Sequence, residues 1–253
     1  MLKTFYIIIL STTLFSQNSH SLLFDGQDDY LSIPGSDLYN NLGDFSFSVW
    51  IKVPQSLSAV GDWDNAKAII NKDHYPEYSN ATYNLWFLNG SYVDGIPDGM
   101  EALALLFDVD GNTVAGNDII LYTETSNFLD NQWHHITCTR KQSTGELKLF
   151  LDGVLVDNTT APSDIISSPN GFIIGSHVFT DRRFFEGNLD KFSFWNVSLE
   201  QTQIQSNMNS ELAGNEEGLV GHWNFNEGNG NVLTDLSGNG NDGTIYGAAW
   251  SSD

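Results

Sequence analysis

Between Gln55 and Thr82 the chain carries two polar, aromatic-rich runs, Gly61-Asp62-Trp63-Asp64-Asn65 and Asn71-Lys72-Asp73-His74-Tyr75-Pro76-Glu77-Tyr78. Flat rings offer a face on which the C–H surface of a sugar can stack, while amides and carboxylates bond to hydroxyls. Asp62, Trp63, Asn65, Asp73, Tyr75 and Tyr78 are therefore the candidate ligand-binding set, on a long loop of the kind that carries binding residues on a rigid scaffold. The competing reading is that these rings only pin the loop to that scaffold. Other reactive residue types lead nowhere as firm. His134 and His135 are adjacent in a strand, so they point to opposite faces, and no second motif completes a zinc site. Cys138 is the only cysteine, so no intramolecular disulfide can form, and in a core strand it is a poor nucleophile. Asp108, Asp110 and Asn112 imitate the first half of a helical calcium loop, but the glycine and the bidentate glutamate that such a loop needs are missing, and a hairpin turn fits better.

The elements that must position these residues read as strands. From Phe45 to Val53 the apolar residues Phe45, Phe47, Val49, Ile51 and Val53 alternate with Ser46, Ser48, Trp50 and Lys52, a period-2 pattern with one face in a core. Asn131–Val156 reads as two antiparallel strands turned at Gln142–Gly145, with Ile136, Cys138, Leu147, Leu149 and Leu151 inward. Ala68–Ile70, Tyr83–Leu88, Ala102–Phe107, Asp118–Thr123, Gly171–Val178 and Asn188–Trp195 read as further strands. Leu22–Pro34 reads as an opening hairpin turned at Gly26-Gln27-Asp28. One short helix is expected after Asn196, with Ser198 as N-cap, Gln201 completing a capping box, and Leu199, Ile204 and Met208 on one side. Aromatic content of 13%, 23 glycines and only 6 prolines suit many short strands with tight turns, and no long stretch keeps a helical period. The fold class is all-β.

Asp and Glu number 32 against 10 Lys and Arg, a net charge of −22. So acidic a surface repels phosphate backbones and anionic membranes, which excludes nucleic acid as a partner, and it attracts divalent cations or simply keeps the chain soluble. Residues 1–21 start with Lys3, continue through an apolar core from Phe5 to Leu10 and end in small polar residues. That is the layout of a secretory signal peptide, too short for a membrane span, with cleavage expected between Ser16 and Ser21. The expected location is secreted, extracellular or at the cell surface, with no membrane insertion, and residues 22–253 are expected to form one domain.

A Trp-His-His strand, a glycine-containing turn and the strand Leu147-Lys-Leu-Phe-Leu-Asp-Gly153 together resemble the centre of laminin-G-like jelly-roll domains of the concanavalin A-like lectin/glucanase superfamily. Gly187-Asn-Leu-Asp-Lys-Phe-Ser-Phe-Trp-Asn196 before a helix resembles the final strand of that family, and the recognisable part runs from about 44 to 197. The resemblance implies a two-sheet antiparallel β-sandwich. The motif pair Glu217–Gly228 and Asp235–Thr244 precedes the Phe-Asp-Gly strand in many such domains and follows the helix here. It is assigned to the same domain, the alternative being the opening of a second one. By resemblance to the glucanase branch, Asp190 is a ligand to a structural Ca²⁺, with Asp25, Asp29 and the carbonyl of Gly43 as further candidates from their place near the chain start. The alternative for Asp190 is a bond to backbone N–H groups. Relatives that hydrolyse glycans carry a Glu-x-Asp-x-x-Glu strand, which sets paired carboxylates about 5 Å apart. Glu101, Asp108, Asp110, Glu124, Glu146 and Asp152 do not combine into one. Three functions follow: a non-catalytic, calcium-stabilised module binding glycan or glycoprotein, a glycoside hydrolase with an unrecognised acid/base pair, and an adhesion or structural module without a sugar site.

Overall fold

The computed structural model describes residues 20–40, 42–59, 63–72, 82–92, 94–108, 119–163, 170–177 and 180–252. In chain order the first strands are β1 (Ser21–Asp25), β2 (Tyr30–Ile33), β3 (Phe45–Lys52), β4 (Lys67–Lys72), β5 (Thr82–Asn89), β6 (Glu101–Asp108), β7 (Ile119–Glu124) and β8 (Trp133–Lys141). They are followed by β9 (Glu146–Leu151), β10 (Val154–Thr160), β11 (Phe172–Ile174), β12 (Glu186–Trp195), helix α1 (Gln201–Asn207), β13 (Leu219–Trp223), β14 (Val232–Leu233), β15 (Gly243–Tyr246) and β16 (Ala249–Ser251). Two antiparallel eight-stranded sheets result. Sheet A runs β10-β9-β8-β3-β12-β1-β16, with β13 also paired to β12, and sheet B runs β14-β15-β2-β11-β4-β5-β6-β7.

The period-2 residues of β3 do what their spacing requires. Phe45, Phe47, Val49 and Ile51 are fully buried between the sheets, with Ile136, Cys138, Leu147 and Leu149 beside them and Tyr83, Leu85, Phe87, Leu103 and Leu105 opposite. Phe45 stacks on Tyr83 at 4.5 Å between ring centroids, and Phe194 and Phe107 extend the stack. Fully burying a side chain of this size contributes about 1.5–3 kcal/mol, so this aromatic layer is the main cohesive element between the sheets.

Strand β12 is the hub of sheet A. Its first half pairs with β1 (Leu22 opposite Leu189), its second half with β13 (Phe192 opposite Trp223), and its other edge with β3. The register against β3 shifts between Asp190 and Ser193, where Lys191 adopts a φ of 49°, a β-bulge in a strand otherwise regular. The tail joins both sheets: β13 and β16 pair in sheet A, β14 and β15 in sheet B. Asp235 fastens it, accepting hydrogen bonds from the backbone N–H groups of His222, Ser237 and Asn241 and from the Asn241 amide.

Two expectations need correction. Leu22–Pro34 is not a hairpin: β1 pairs with β12 and β16 in sheet A, whereas β2 pairs with β11 and β15 in sheet B. Gly26, at φ 79°, and the bond from the Asp25 N–H to Asp29 Oδ2 (2.8 Å) turn the chain through a corner between the sheets. The helix N-cap is Glu200 rather than Ser198, and Gln203 closes the box by accepting the Glu200 N–H at 2.9 Å. The shift has a packing reason. Leu199 is drawn under the helix with Ile204, Phe150, Trp195 and Leu219, and its N–H donates to Ser46 Oγ, so the turn starts beyond it.

Candidate functional site

The outer face of sheet B carries the strongest convergence of polar and aromatic groups among the described residues. In β5, Tyr83, Leu85 and Phe87 face the central core, so the alternate positions Asn84 and Trp86 face outward. Trp86 lies in a second, smaller apolar cluster with Ala68, Leu88, Ala102 and Ala104. Its indole N–H donates to Asn71 Oδ1 at 3.0 Å, and the Asn84 side-chain oxygen accepts the Lys72 backbone N–H. The amide nitrogen of Asn71, a residue only 1% exposed, has no hydrogen-bond partner. Leaving such a donor unpaired costs about 1–3 kcal/mol, which marks a place where a ligand oxygen or a water belongs.

The chain segment between β11 and β12 adds charge to this face. Thr180 and Arg183 take positive φ, and the Arg183 carbonyl accepts the Ala68 N–H at 2.8 Å, which locks the segment against β4. The Arg183 guanidinium then lies 5.0 Å from the Trp86 ring, and the His177 ring meets the same indole edge-on at 5.9 Å. Burial, reinforced by Arg183 and Arg182, pushes the His177 pKa down to about 4, so its ring is neutral at pH 7. Asp64 reaches Arg182 and Arg183 at 3.5 and 3.4 Å and ties the turn Trp63–Asn65 to the same place. An indole, two amides, a neutral imidazole and a guanidinium thus meet on one face, each no more than 8% exposed and the guanidinium already over the indole ring; their chemistry suits hydroxyl or carboxylate oxygens.

The sequence-based ligand set divides around this face. Trp63 and Asn65 lie in the turn before β4, Asn65 exposed, while Asp73 follows directly after β4, a strand about 17–20 Å long. Asp62, Asp73, Tyr75 and Tyr78 lie outside the described residues, as does the Asp110–Asn112 turn, and of Trp63 only the backbone is described. Sequence reasoning did not single out Asn71, Asn84, Trp86, His177 and Arg183, the groups that meet on this face. The available signals were a polar residue and a tryptophan at alternate positions of an otherwise apolar strand, and an adjacent arginine pair in a chain with only 10 basic residues.

Of the expected calcium ligands, Asp25 and Asp29 come together and a third carboxylate joins them. Ligand oxygens of Asp25, Asp28 and Asp29 all lie within 4.8 Å of one another. Asp29 is buried against Gly247, whose backbone leaves no room for a Cβ beside Oδ1. Its pKa is raised, first by burial and then by the charges of Asp25 and Asp28, although the bond from the Asp25 N–H opposes this. Crowded hard oxygens with an uncompensated charge fit Ca²⁺, which tolerates irregular shells completed by water. Asp190 and Gly43 do not join the group. Asp190 is buried in β12 opposite Trp50, about 13 Å along the strand from Glu186, the register partner of Asp25. Gly43 lies by the far end of β3, where its carbonyl accepts a bond from Arg140.

His134 and His135 have structural surroundings. His134 bonds to Asp152 and Asp130, and His135 is buried against Trp50. Cys138 is fully buried, which pushes its thiol pKa up and keeps it unreactive.

Solved structures share this architecture. A candidate carbohydrate binding protein from Bacteroides ovatus ATCC 8483 matches with a TM-score of 0.69 at 18% identity, over 93% of this chain and 60% of that one. The heptameric SAP-like pentraxin of Limulus polyphemus matches with a TM-score of 0.50 at 14% identity, over 80% and 91%. The binding domain of botulinum neurotoxin DC, in complex with SialylT, matches with a TM-score of 0.53 at 15% identity, over 76% and 43%. The chain thus spans about three fifths of the Bacteroides protein and less than half of the toxin chain, and the likeness at these identities is one of fold. With both sheets, the strand order and the final-strand motif in place, the match of residues 25–205 to the Laminin_G_3 family establishes that the chain belongs to the concanavalin A-like lectin/glucanases superfamily.

Proposed function

We propose that the protein is a non-catalytic module that binds a glycan or glycoprotein outside the cell, on the outer face of sheet B around Trp86. The observation that carries this reading is the Asn71–Trp86 pair, in which the amide and the indole fix each other and leave a buried N–H₂ donor unused. Arg183 and His177 beside it supply a cation and a neutral ring within reach of the same indole. The similar Bacteroides and toxin structures, one a candidate carbohydrate binder and one in complex with SialylT, support sugar as the ligand class. Trp63, Asn65 and Asp62 before β4, and Asp73, Tyr75 and Tyr78 after it, are proposed to border the face at its two ends. Ca²⁺ is proposed to be held by Asp25, Asp28 and Asp29, where it would neutralise the carboxylates and stiffen the corner between β1 and β2.

The test is a glycan-array screen with and without chelator, read beside reducing-sugar release from the same glycans. Hits are expected without sugar release. Trp86→Ala should weaken every hit by roughly three- to tenfold, the worth of the hydrogen bond that fixes the Asn71 amide, and Arg183→Gln should weaken acidic glycans most. If both variants fold and keep full affinity for all hits, the ligand does not sit on this face.

A further inference from the structure

Toward the opposite edge of sheet B from Trp86, strands β2 and β15 set two tyrosines against each other. Tyr30 opens β2, Tyr246 closes β15, and the two are register partners. Leu31 and Ile245, the next partners along the ladder, are buried in the central core, so strand alternation turns both tyrosines to the outer face. Their rings stack with centroids 4.4 Å apart and planes within 13° of parallel. Tyr246 is 44% exposed and Tyr30 half-buried, so the pair stands open to solvent.

The backbone on either side holds the rings in register. Asp29, just before Tyr30, is buried against Gly247, just after Tyr246, where a φ of 79° and the lack of a Cβ let the two chains touch. Among the described residues no other tyrosine rings stack on each other: Tyr39 and Tyr83 lie against phenylalanines and are at most 1% exposed. Two phenols in van der Waals contact and within reach of solvent suit a reaction that separate tyrosines undergo only by collision, oxidative coupling. Loss of one electron and the phenolic proton leaves a phenoxyl radical with unpaired spin on the ring carbons ortho to oxygen. A second phenol fixed in contact has an effective concentration far above that offered by another molecule.

We propose that Tyr30 and Tyr246 form an oxidative modification site, at which a one-electron oxidant of the haem peroxidase class, consuming hydrogen peroxide, joins the two rings into a biphenol and staples β2 to β15. Each phenol gives up one electron and one proton. A carbon–carbon bond forms between one ortho carbon of each ring, and the hydrogens on those carbons move to the oxygens as the rings regain aromaticity. One hydrogen peroxide takes up the two electrons and two protons and leaves as two water molecules, so the protein loses two hydrogen atoms. Cys138 is the only cysteine, so no disulfide within the chain can supply such a tie. The new bond closes a loop that runs from β2 to β15, and a long closed loop removes more entropy from the unfolded chain than a short one. It also fastens β15, and through it β14, to sheet B by more than ladder hydrogen bonds.

The experiment treats the full chain in dilute solution with a haem peroxidase and hydrogen peroxide, and reads intact mass, biphenol fluorescence, migration under denaturing conditions and the urea midpoint. The expected product is a fluorescent monomer lighter by two hydrogens, which yields on proteolysis one linked pair of peptides containing Tyr30 and Tyr246. Tyr30→Phe and Tyr246→Phe keep a ring in the stack but lack one phenol, and each should lose the fluorescence, whereas Tyr122→Phe should retain it. Oxidation should raise the urea midpoint in the wild type and in Tyr122→Phe, and in neither of the other variants. Fluorescence that persists in Tyr30→Phe or Tyr246→Phe, or linkage found only in covalent dimers, overturns the proposal. A wild type in which tryptophan is oxidised while both tyrosines stay unlinked overturns it as well, and a linked monomer whose midpoint does not rise overturns the staple.

Discussion

His134 and His135 are neighbours in β8 with opposite linkage to pH. The hydrogen bond to Asp152 raises the His134 pKa, burial opposes it, and the bond to Asp130 adds to the rise. A raised value means that the folded state holds the proton more tightly. The stabilisation is complete below the unfolded pKa of about 6.5 and is lost as pH rises through the folded value. His135 behaves in the reverse sense: burial pushes its pKa down to about 4, so its share of stability is present above about 6.5 and is lost as pH falls toward that value. His134→Gln is therefore expected to lower stability by about 0.5–1 kcal/mol in mild acid and less at alkaline pH. His135→Asn should flatten the acid limb of the stability profile. Urea midpoints across a pH series check both, and a His134→Gln penalty that grows with pH would contradict the assignment. The opposite faces of this pair were legible from strand period alone. Their partners were not, because Asp130 and Asp152 reach His134 from two different turns. The same limit applied to the outer face of sheet B: Trp86 and Arg183 lie about a hundred positions apart in sequence, and only the pairing of β4, β5 and β11 brings them together.

At the level of elements, strands with one buried face could be read and strands without one could not. Phe45–Val53 announced itself by alternation, and the observed β3 ends within a residue of it. Strand β10 is an edge strand exposed along nearly its whole length, and Val154-Leu155-Val156 show no alternation that a core would impose. The β1–β2 corner carries the same Asp-Gly signal as a hairpin. Only the long-range partners β12 and β11 separate the two strands into different sheets. The tail is held by a buried acceptor rather than by apolar periodicity. Burial disfavours the charged form of Asp235, yet hydrogen bonds led by those of Ser237 and Asn241 hold its pKa below the usual carboxylate range. Asp235→Ala would strand several buried N–H donors, and a loss of about 2–4 kcal/mol is expected. The check is a melting curve together with amide exchange at β13 and β14. Unchanged protection there would show that the tail is fastened by other contacts.

For the molecule as a whole, the dominant fact is its charge of −22, and three of its 32 acidic residues, Asp25, Asp28 and Asp29, crowd at the β1–β2 corner. Millimolar Ca²⁺ is expected to raise the melting temperature relative to chelator, by an amount equivalent to about 2.7 kcal/mol when free ion is a hundred times its dissociation constant. Asp29→Asn should abolish that shift while leaving stability in chelator equal or slightly higher, since it removes one of three repelling charges. An equal shift in Asp29→Asn and wild type would place the ion elsewhere, and no shift in either would remove it. The pairing of β1 with β16 has a mechanical consequence. Ser21 and Ser251 are register partners at the outer end of that antiparallel pair. A tether pulling on those two points loads the hydrogen bonds one at a time, as a zipper is opened, whereas a tether drawing along the strands would load them all at once. Tension applied there should peel β16 away at low force and leave β1 seated on β12, so a load carried between these two points would be released first at this seam, with both sheets otherwise intact.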